Sequence, residues 1–262
     1  MNKIKVVNEK IEANVDGIEI KFLEKETSYG INKLILNINK NSKLNIEYFS
    51  DIETKYEITI NISDKVKLDL NEIRFGTYSK IKYIFNLGYK SKLNVCKLYD
   101  VEEMKEWVKI NLDEYANINY NFKTVSTHSE RYDIEVHHNG AYSSSNIINN
   151  GVNIQNGTLI FNVSSMVLNN IVDTNINQNN RIINLNDKLC QINPNLYIDE
   201  NDVTANHSAY IGKFRDDEIF YLQRLGLSYI DATKLLLKGF LSNGMSKYMD
   251  KHINKLTKKY WR

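Results

Sequence analysis

The chain has 262 residues, 42% hydrophobic and 25% charged, which is enough for a packed core with an appendage. Its 34 basic and 32 acidic residues sum to +2 and are interspersed, so no electrostatic footprint for nucleic acid or an anionic membrane stands out. No leader-like apolar run opens the sequence, no stretch approaches the roughly 18 apolar residues of a membrane span, and two cysteines cannot staple a domain of this size; a cytoplasmic protein with free thiols at Cys96 and Cys190 is expected.

After a lead-in over residues 1–30, short stretches of alternating apolar and polar residues recur. They are LILNINKNSKL from Leu34, EITINISDKVKL from Glu57, YIFNLGYKSKL from Tyr83 and VKINLDEYANI from Val108. Alternation is the period-2 pattern of a strand with one buried face, and in each copy a further apolar anchor six residues on restarts a strand. The triplets Leu36/Ile38/Leu44, Ile60/Ile62/Leu68, Phe85/Leu87/Leu93 and Ile110/Leu112/Ile118 are spaced by 24, 25 and 25 residues. Weaker copies follow at Ile134/Val136/Tyr142, Phe161/Val163/Asn169 and Ile183/Leu185/Gln191, in steps of 24, 27 and 22. A repeat of this period predicts an all-β solenoid over residues 31–214, with seven coils stacked at about 4.8 Å into a rod on the order of 30 Å long.

Between the first two anchors of each copy stand Asn37, Asn61, Asn86, Asn111, Glu135, Asn162 and Asn184. In a parallel solenoid these side chains lie above one another, where amides can hydrogen-bond into a ladder. An antiparallel sandwich of short strands also gives periodic turns, but it has no reason to keep one residue type in register.

Beyond residue 214 the period changes to that of helices. RDDEIFYLQRLG has Ile219, Leu222 and Leu225 at helical spacing, an acidic first turn and Gly226 as a stop; Ser228 and Asp231 resemble a capping box opening SYIDATKLLLKGFL. A C-terminal α-helical hairpin is predicted, followed from Ser246 by a basic helix with Met249, Ile253 and Leu256 on one stripe. The charges of that last helix read as a solvated face and a frayed tail. Phe220, Tyr221, Leu222, Leu235 and Leu236 are candidates to cap the open end of the solenoid.

Chemistry-bearing residues are few. His207 lies in the polar stretch NDVTANHSAYIGKF, where a surface imidazole and a metal ligand are both open readings. Cys190 follows a turn and precedes Pro194, and reads equally as a buried inert thiol or as a ligand. Alternation from Leu93 and Val95 turns Cys96 outward, either as a bystander or as a carrier of sulfur along the coil. His137 and His138 are adjacent on a strand and face opposite ways, which suits stacking or surface roles, and His128 and His252 have no partner at ligand spacing. Without a Walker-type phosphate loop, a Cys-x-x-Cys pair or a Gly-x-Ser-x-Gly elbow, no ATP is expected to bind to this chain and it reads as a non-enzyme.

The ordered blocks RYDIEVHHNGAYSSSNIINNGV, NQNNRIINLNDK and NPNLYIDENDVTANHSAYIGKFRDDEIFYLQRLGLSYIDATKLLLKGFL, over about residues 130 to 241, resemble the C-terminal half of the SufB/SufD family, the scaffold subunits of iron–sulfur cluster assembly. The resemblance implies a right-handed parallel β-helix followed by helices. It implies a transient iron–sulfur cluster, built from iron and sulfide, held at a subunit interface with His207 and Cys190 as candidate ligands and Cys96 as a further thiol. It implies a SufC-like ABC ATPase docked on residues 215–262, with Phe220, Tyr221, Arg224, Lys234, Lys238 and Phe240 as contacts. The second scaffold protomer would be an identical copy, as in short members lacking the helical N-terminal region, or a SufB/SufD-like paralogue. Sulfur would come from a cysteine desulfurase system. Asn206 and Ser208 flank His207 where the cluster-building subunit has Glu, which resembles its partner subunit. A β-helix carbohydrate-active enzyme and a purely structural solenoid are the other readings; the first needs acidic residues clustered in a groove.

Overall fold

A computed structural model describes residues 2–7, 10–16, 18–26 and 31–261. The lead-in predicted over residues 1–30 therefore lies partly outside the described residues. Its described part contributes β1 (Asn2–Val7), β2 (Lys10–Asn14) and β3 (Ile18–Glu26). The repeat region supplies β4 (Ile31–Ile38), β5 (Ser42–Ser50), β6 (Thr54–Ile62), β7 (Lys67–Leu87), β8 (Lys92–Leu112), β9 (Asn117–Ser126) and β10 (Ser129–His138). It ends with β11 (Ser144–Asn153), β12 (Thr158–Val167), β13 (Thr174–Asn184), β14 (Cys190–Ile198) and β15 (Val203–Gly212), before α1 (Asp216–Arg224), α2 (Tyr229–Ser242) and α3 (Asp250–Tyr260).

Parallel pairing runs up two walls. One is β4, β6, the second half of β7, the second half of β8, β10, β12 and β14; the other is β1, β5, the first halves of β7 and β8, then β9, β11, β13 and β15. The chain is a parallel β-solenoid of about seven turns, as its repeat predicts. At the N-terminal end β2 lies antiparallel on β1 and β3 antiparallel on β4, each paired on that one side among the described residues, which adds one antiparallel strand to each wall there.

The tight turns use the same device coil after coil. Lys65, Lys90, Tyr115, Tyr142 and Asp173 all adopt left-handed backbone (φ 55–62°), and the N–H of each donates to a carbonyl of the next coil at 2.7–3.0 Å. The turns at Lys65, Lys90 and Tyr115 are the six-residue gaps between anchors seen in the sequence, whereas Tyr142, expected as an anchor, is itself the left-handed turn residue and Asp173 falls beyond the anchor expected at Asn169. Gly76, where β7 passes between the walls, has φ +149°, and a Cβ there would lie 2.0 Å from the Ser50 carbonyl oxygen.

The predicted amide column exists over the first coils. Asn61 donates to Asn37 at 2.8 Å, Asn86 to Asn61 at 2.8 Å and Asn111 to Asn86 at 2.7 Å. It then stops, because Asn111 is paired with His137 and His137 with Met166. Glu135 lies two positions away, opposite Lys109, while Asn162 belongs to a separate column between Asp133 and Asn193, and Asn184 sits on the other wall beside Asn153. The expected register of the last three copies is corrected accordingly: Ile110 pairs with Val136, Val136 with Ser165 and Ser165 with Leu196, because the coils lengthen. A slip of two residues keeps every side chain on its own face, so alternation alone could not reveal it. The longest ladder is on the opposite wall, running Asp69, Asn94, Asn119, Asn146, Asn177 and Asn206 with contacts of 2.7–3.5 Å.

The bore is filled by Ile, Leu, Val, Phe and Tyr, but it also holds four charges. Glu72, Arg74, Lys97 and Glu106 are 0–1% exposed. Arg74 and the Tyr99 hydroxyl each donate to Glu72 at 2.9 Å, and Lys97 pairs with Glu72 at 3.5 Å and with Glu106. The Arg74 guanidinium lies 3.8 Å from the Tyr48 ring centre and the Lys97 ammonium 3.7 Å from that of Tyr83. Charges removed from water persist only when paired in this way. His138 also points into the interior, its Nδ1 2.7 Å from Ser143 Oγ and its Nε2 3.0 Å from Ser145 Oγ, whereas His137 stays at the surface near Glu135; the surface or stacking role expected for both therefore fails for His138.

The helices form as predicted but lie elsewhere. Ser228 caps α2 by accepting from the Asp231 N–H at 3.1 Å, and Gly226 (φ +93°) ends the α1 turn. Ile219, Ala232, Leu237, Phe240, Leu241, Met249, Ile253 and Leu256 pack against Ile73, Leu98, Val125, Val152 and Ile183, on the outer face of the β7–β13 wall. The hairpin thus roofs a side wall and does not cap the end of the solenoid. Nor is the tail frayed over the described residues, since Lys259 (2.9 Å) and Tyr260 (2.5 Å) both bind Asp100.

Candidate functional site

Two surfaces stand out, and both follow from how the coil stack ends. The final coil consists of β14, paired only with β12, and β15, paired only with β13, among the described residues. Every earlier coil is covered on both sides; this one presents unpaired backbone N–H and C=O groups on both walls. Leu189, Tyr197, Tyr210 and Ile211 are exposed there at 42–73%. Such an edge is a template for another strand.

His207 is on β15, not in a turn, opposite Gln178 of β13. It is exposed and has no hydrogen bond among the described residues. Gln178 is fully buried, its amide donating to Ser165 Oγ (2.8 Å) and to the Asn195 carbonyl (3.3 Å), which ties β13 to the last rung. The adjacent Asn206 terminates the long amide ladder.

Cys190 opens β14, half-buried, and its Sγ accepts from Asn153 Nδ2 at 3.1 Å. Burial raises its pKa, while the Leu159 backbone and Asn153 pull the other way, so the resting form at neutral pH is the thiol. Asn153 Nδ2 also reaches Asn184 Oδ1 at 3.1 Å, which places Cys190 level with Asn184, six residues along β13 from Gln178. Six residues of strand is about 20 Å. His207 and Cys190 of one chain therefore do not meet.

Cys96 points out of the bore, as alternation requires, but into the core under the helical roof. Its thiol is directed at the Gly244 carbonyl (3.9 Å), and burial raises its pKa. Among the described residues no group of three or more His, Cys, Asp or Glu could hold a metal ion. Thiol and imidazole are competent ligands for iron, but one chain offers them singly.

The second surface is the outer side of the helical hairpin. Phe220, Tyr221, Leu225, Tyr229, Ile230 and Leu235 are 50–66% exposed. An apolar cluster of this size is uncommon on an unpartnered surface. Arg224 and Lys238 are exposed beside it, and Lys234 is 3.9 Å from Asp231. Phe240 differs from the other predicted contacts: it is 9% exposed, packed edge-on to Phe214 (6.3 Å) and under Arg181 (5.5 Å). Its visible role is to seat α2 on the solenoid. Leu225, Tyr229 and Ile230 were missed as surface residues: Leu225, expected on the stripe with Ile219 and Leu222, is the cap that follows α1 and turns outward, and Tyr229 and Ile230 open α2 off its buried stripe.

A family model described as the SUF system FeS cluster assembly, SufBD core domain, matches residues 87–240. The chain belongs to that family. The match includes the later coils, the open edge and most of the hairpin. The chain is also 31% identical over 115 residues to the iron–sulfur cluster assembly protein SufD of Bacillus subtilis (strain 168). That alignment covers 44% of this chain and 26% of the relative, so the chain matches about a quarter of that protein's length. No described helix is long and apolar enough to cross a membrane.

Proposed function

We propose that the chain is a non-catalytic scaffold of a SUF-type assembly complex, working as a pair of copies joined through the open β14/β15 edges and coupled to a SufC-like ABC ATPase. The observation that carries this reading is the uncovered last coil. It leaves two sheet edges to be satisfied, and it displays His207 and Cys190 about 20 Å apart, a spacing that makes sense if the imidazole of one protomer serves with the thiol of its partner. The transient cluster, cargo rather than a resident group, would be held by few exchangeable ligands at that junction. Iron and sulfide would be delivered there, the sulfur from a cysteine desulfurase system.

The exposed strip on α1 and α2 would seat the ATPase. The helical lobe is fastened to the solenoid wall by Ser246 to Asn71 (2.6 Å), Tyr248 to Glu47 (2.5 Å) and the Asp100 contacts. Movement of the lobe on ATP binding would therefore be passed to the solenoid rather than absorbed by a hinge. ATP-bound heads would favour an arrangement of the two scaffolds in which the junction opens, a population shift whose size is set by their differential affinity.

Anaerobic reconstitution with iron and sulfide tests the shared site. His207→Ala and Cys190→Ser should each lose the visible absorbance of the wild-type dimer. Mixing the two variants should restore part of it, because one junction of a mixed dimer regains both groups. A mixture no better than either variant alone contradicts a site shared between protomers.

A further inference from the structure

The near-neutral total charge hides a segregation. Residues 227–262 carry eight Lys or Arg against two acids, Asp231 and Asp250, a formal +6, while the other 226 residues carry 26 basic and 30 acidic, a formal −4. The positive charge gathers on a groove of about 940 Å³ between α2 and α3. Leu227, Leu235 and Trp261 give it apolar walls, and Lys234, Lys238, Lys255, Lys258 and Lys259 line it. Two of these lysines are partly answered, Lys259 by Asp100 at 2.9 Å and Lys234 by Asp231 at 3.9 Å. Lys238, Lys255 and Lys258 have no ion pair among the described residues and are exposed.

Helix stability does not account for the arrangement. The lysines in the last turn of α3 do complement its dipole. Lys234 and Lys238, however, stand four residues apart within α2, and Lys251, Lys255 and Lys259 stand four apart along α3, and like charges at that spacing destabilise a helix. The fold keeps a repulsive pattern on both walls of one groove. The lobe is also held firmly, so the pattern is fixed in space rather than spread by motion.

We infer that this groove receives an acidic amphipathic helix of a protein partner, its apolar face on Leu227, Leu235 and Trp261 and its carboxylates against the lysine rims. Two walls of helix, an apolar lining and charged edges form the helix-in-groove mode of recognition. A single-stranded nucleic acid would be read by a series of stacking rings along a basic track, and Trp261 is the one ring lining this groove among the described residues. The inference goes beyond the docking of the ATPase: the groove shares Leu235, Lys234 and Lys238 with the border of that surface, but its α3 wall and Trp261 lie outside the Phe220–Ile230 strip, and it stands whether or not that reading holds.

The test uses the full chain carrying Trp107→Phe, which leaves Trp261 as the single tryptophan reporter, since the chain has two. The probe is a synthetic helical peptide of about 14 residues, roughly 20 Å long, with leucines on one face flanked by glutamates. Controls are the same peptide with Gln in place of Glu, and inorganic polyphosphate and oligothymidylate as polyanions without an apolar face. The acidic peptide should shift Trp261 fluorescence saturably and lose about tenfold in affinity between low and high salt. Lys238→Glu with Lys255→Glu should weaken it at least about tenfold while the unfolding midpoint stays level or rises, because like-charge pairs are relieved. Phe220→Asp with Tyr221→Asp should leave peptide binding intact, which separates this groove from the Phe220/Tyr221 part of the ATPase surface. Equal binding of the Gln peptide, binding of the polyanions alone, or no loss in the double lysine variant would each overturn the inference.

Discussion

Replacing Asn86 by Ala probes the device that holds successive coils in register. Asn86 donates to Asn61 (2.8 Å) and accepts from Asn111 (2.7 Å), so its removal deletes two amide hydrogen bonds and strands an acceptor below and a donor above. With each bond contributing about 1 kcal/mol net, the loss should be about 2 kcal/mol. Asn111 accepts from no amide above it, since His137 occupies the next position, so Asn111→Ala deletes one bond and should cost about half as much. Asn86→Asp should cost at least as much as Asn86→Ala. The ladder runs in one direction, every Nδ2 pointing to the preceding coil, and a carboxylate there would face the Asn61 oxygen. Urea unfolding followed by circular dichroism gives the free energies. Equal losses for Asn86→Ala and Asn111→Ala, or a loss under about 0.5 kcal/mol for the former, would refute the ladder as a stabilising unit.

Burial pushes the Glu130 carboxyl up to about 8 from 4.5, even though Thr124 and Tyr132 donate to it. A raised acid contributes stability that is present below 4.5 and lost as pH rises to about 8. Glu130→Gln should therefore match wild type near pH 4.5 and become the more stable protein by pH 8, as read by urea unfolding across that window. His138 runs the other way: burial holds it down to about 4 from 6.5, so the neutral ring favours the fold above 6.5 and that contribution fades as pH falls toward 4. His138→Asn should remove this part of the acid sensitivity, and an unchanged slope of stability with pH would count against a buried neutral imidazole. Gly76→Ala should fail to give folded protein, because its Cβ would meet the Ser50 carbonyl at 2.0 Å, whereas Gly239→Ala in α2, with no atom within 4 Å of the added group, should gain about 1 kcal/mol in thermal unfolding.

The parts of the fold that were legible in the sequence are those where one residue type had one place to be. Asn37, Asn61, Asn86 and Asn111 recur at nearly constant spacing because the first coils have nearly constant length, and Gly226 and Ser228 punctuate helices through local geometry alone. The later register was not legible because Ile134 and Val136 are both inward, and alternation is blind to a slip of two. The longer ladder from Asp69 to Asn206 was overlooked for a related reason: it crosses coils of unequal length. Where the helices lie depends on the outward Ile73, Leu98, Val125, Val152 and Ile183, which belong to five different strands and form a patch only after the coils are stacked. Cys96 shows the same limit. Its outward direction could be read from its neighbours, while the roof that buries it comes from residues some 150 positions away. The sequence offers His207 and Cys190 as residue types competent to bind iron, but their separation within one chain is a property of the coil that no local pattern shows.

The central claim is that the last coil and the hairpin make this chain a paired scaffold that carries an ATPase. Its most direct test is the mass, by light scattering, of the complex formed when the chain is purified with the SUF-system ABC ATPase. The account predicts two scaffold and two ATPase subunits, reduced to a bare scaffold dimer by Phe220→Asp with Tyr221→Asp. A monomeric scaffold, or a chain that captures no ATPase before either substitution is made, would contradict it.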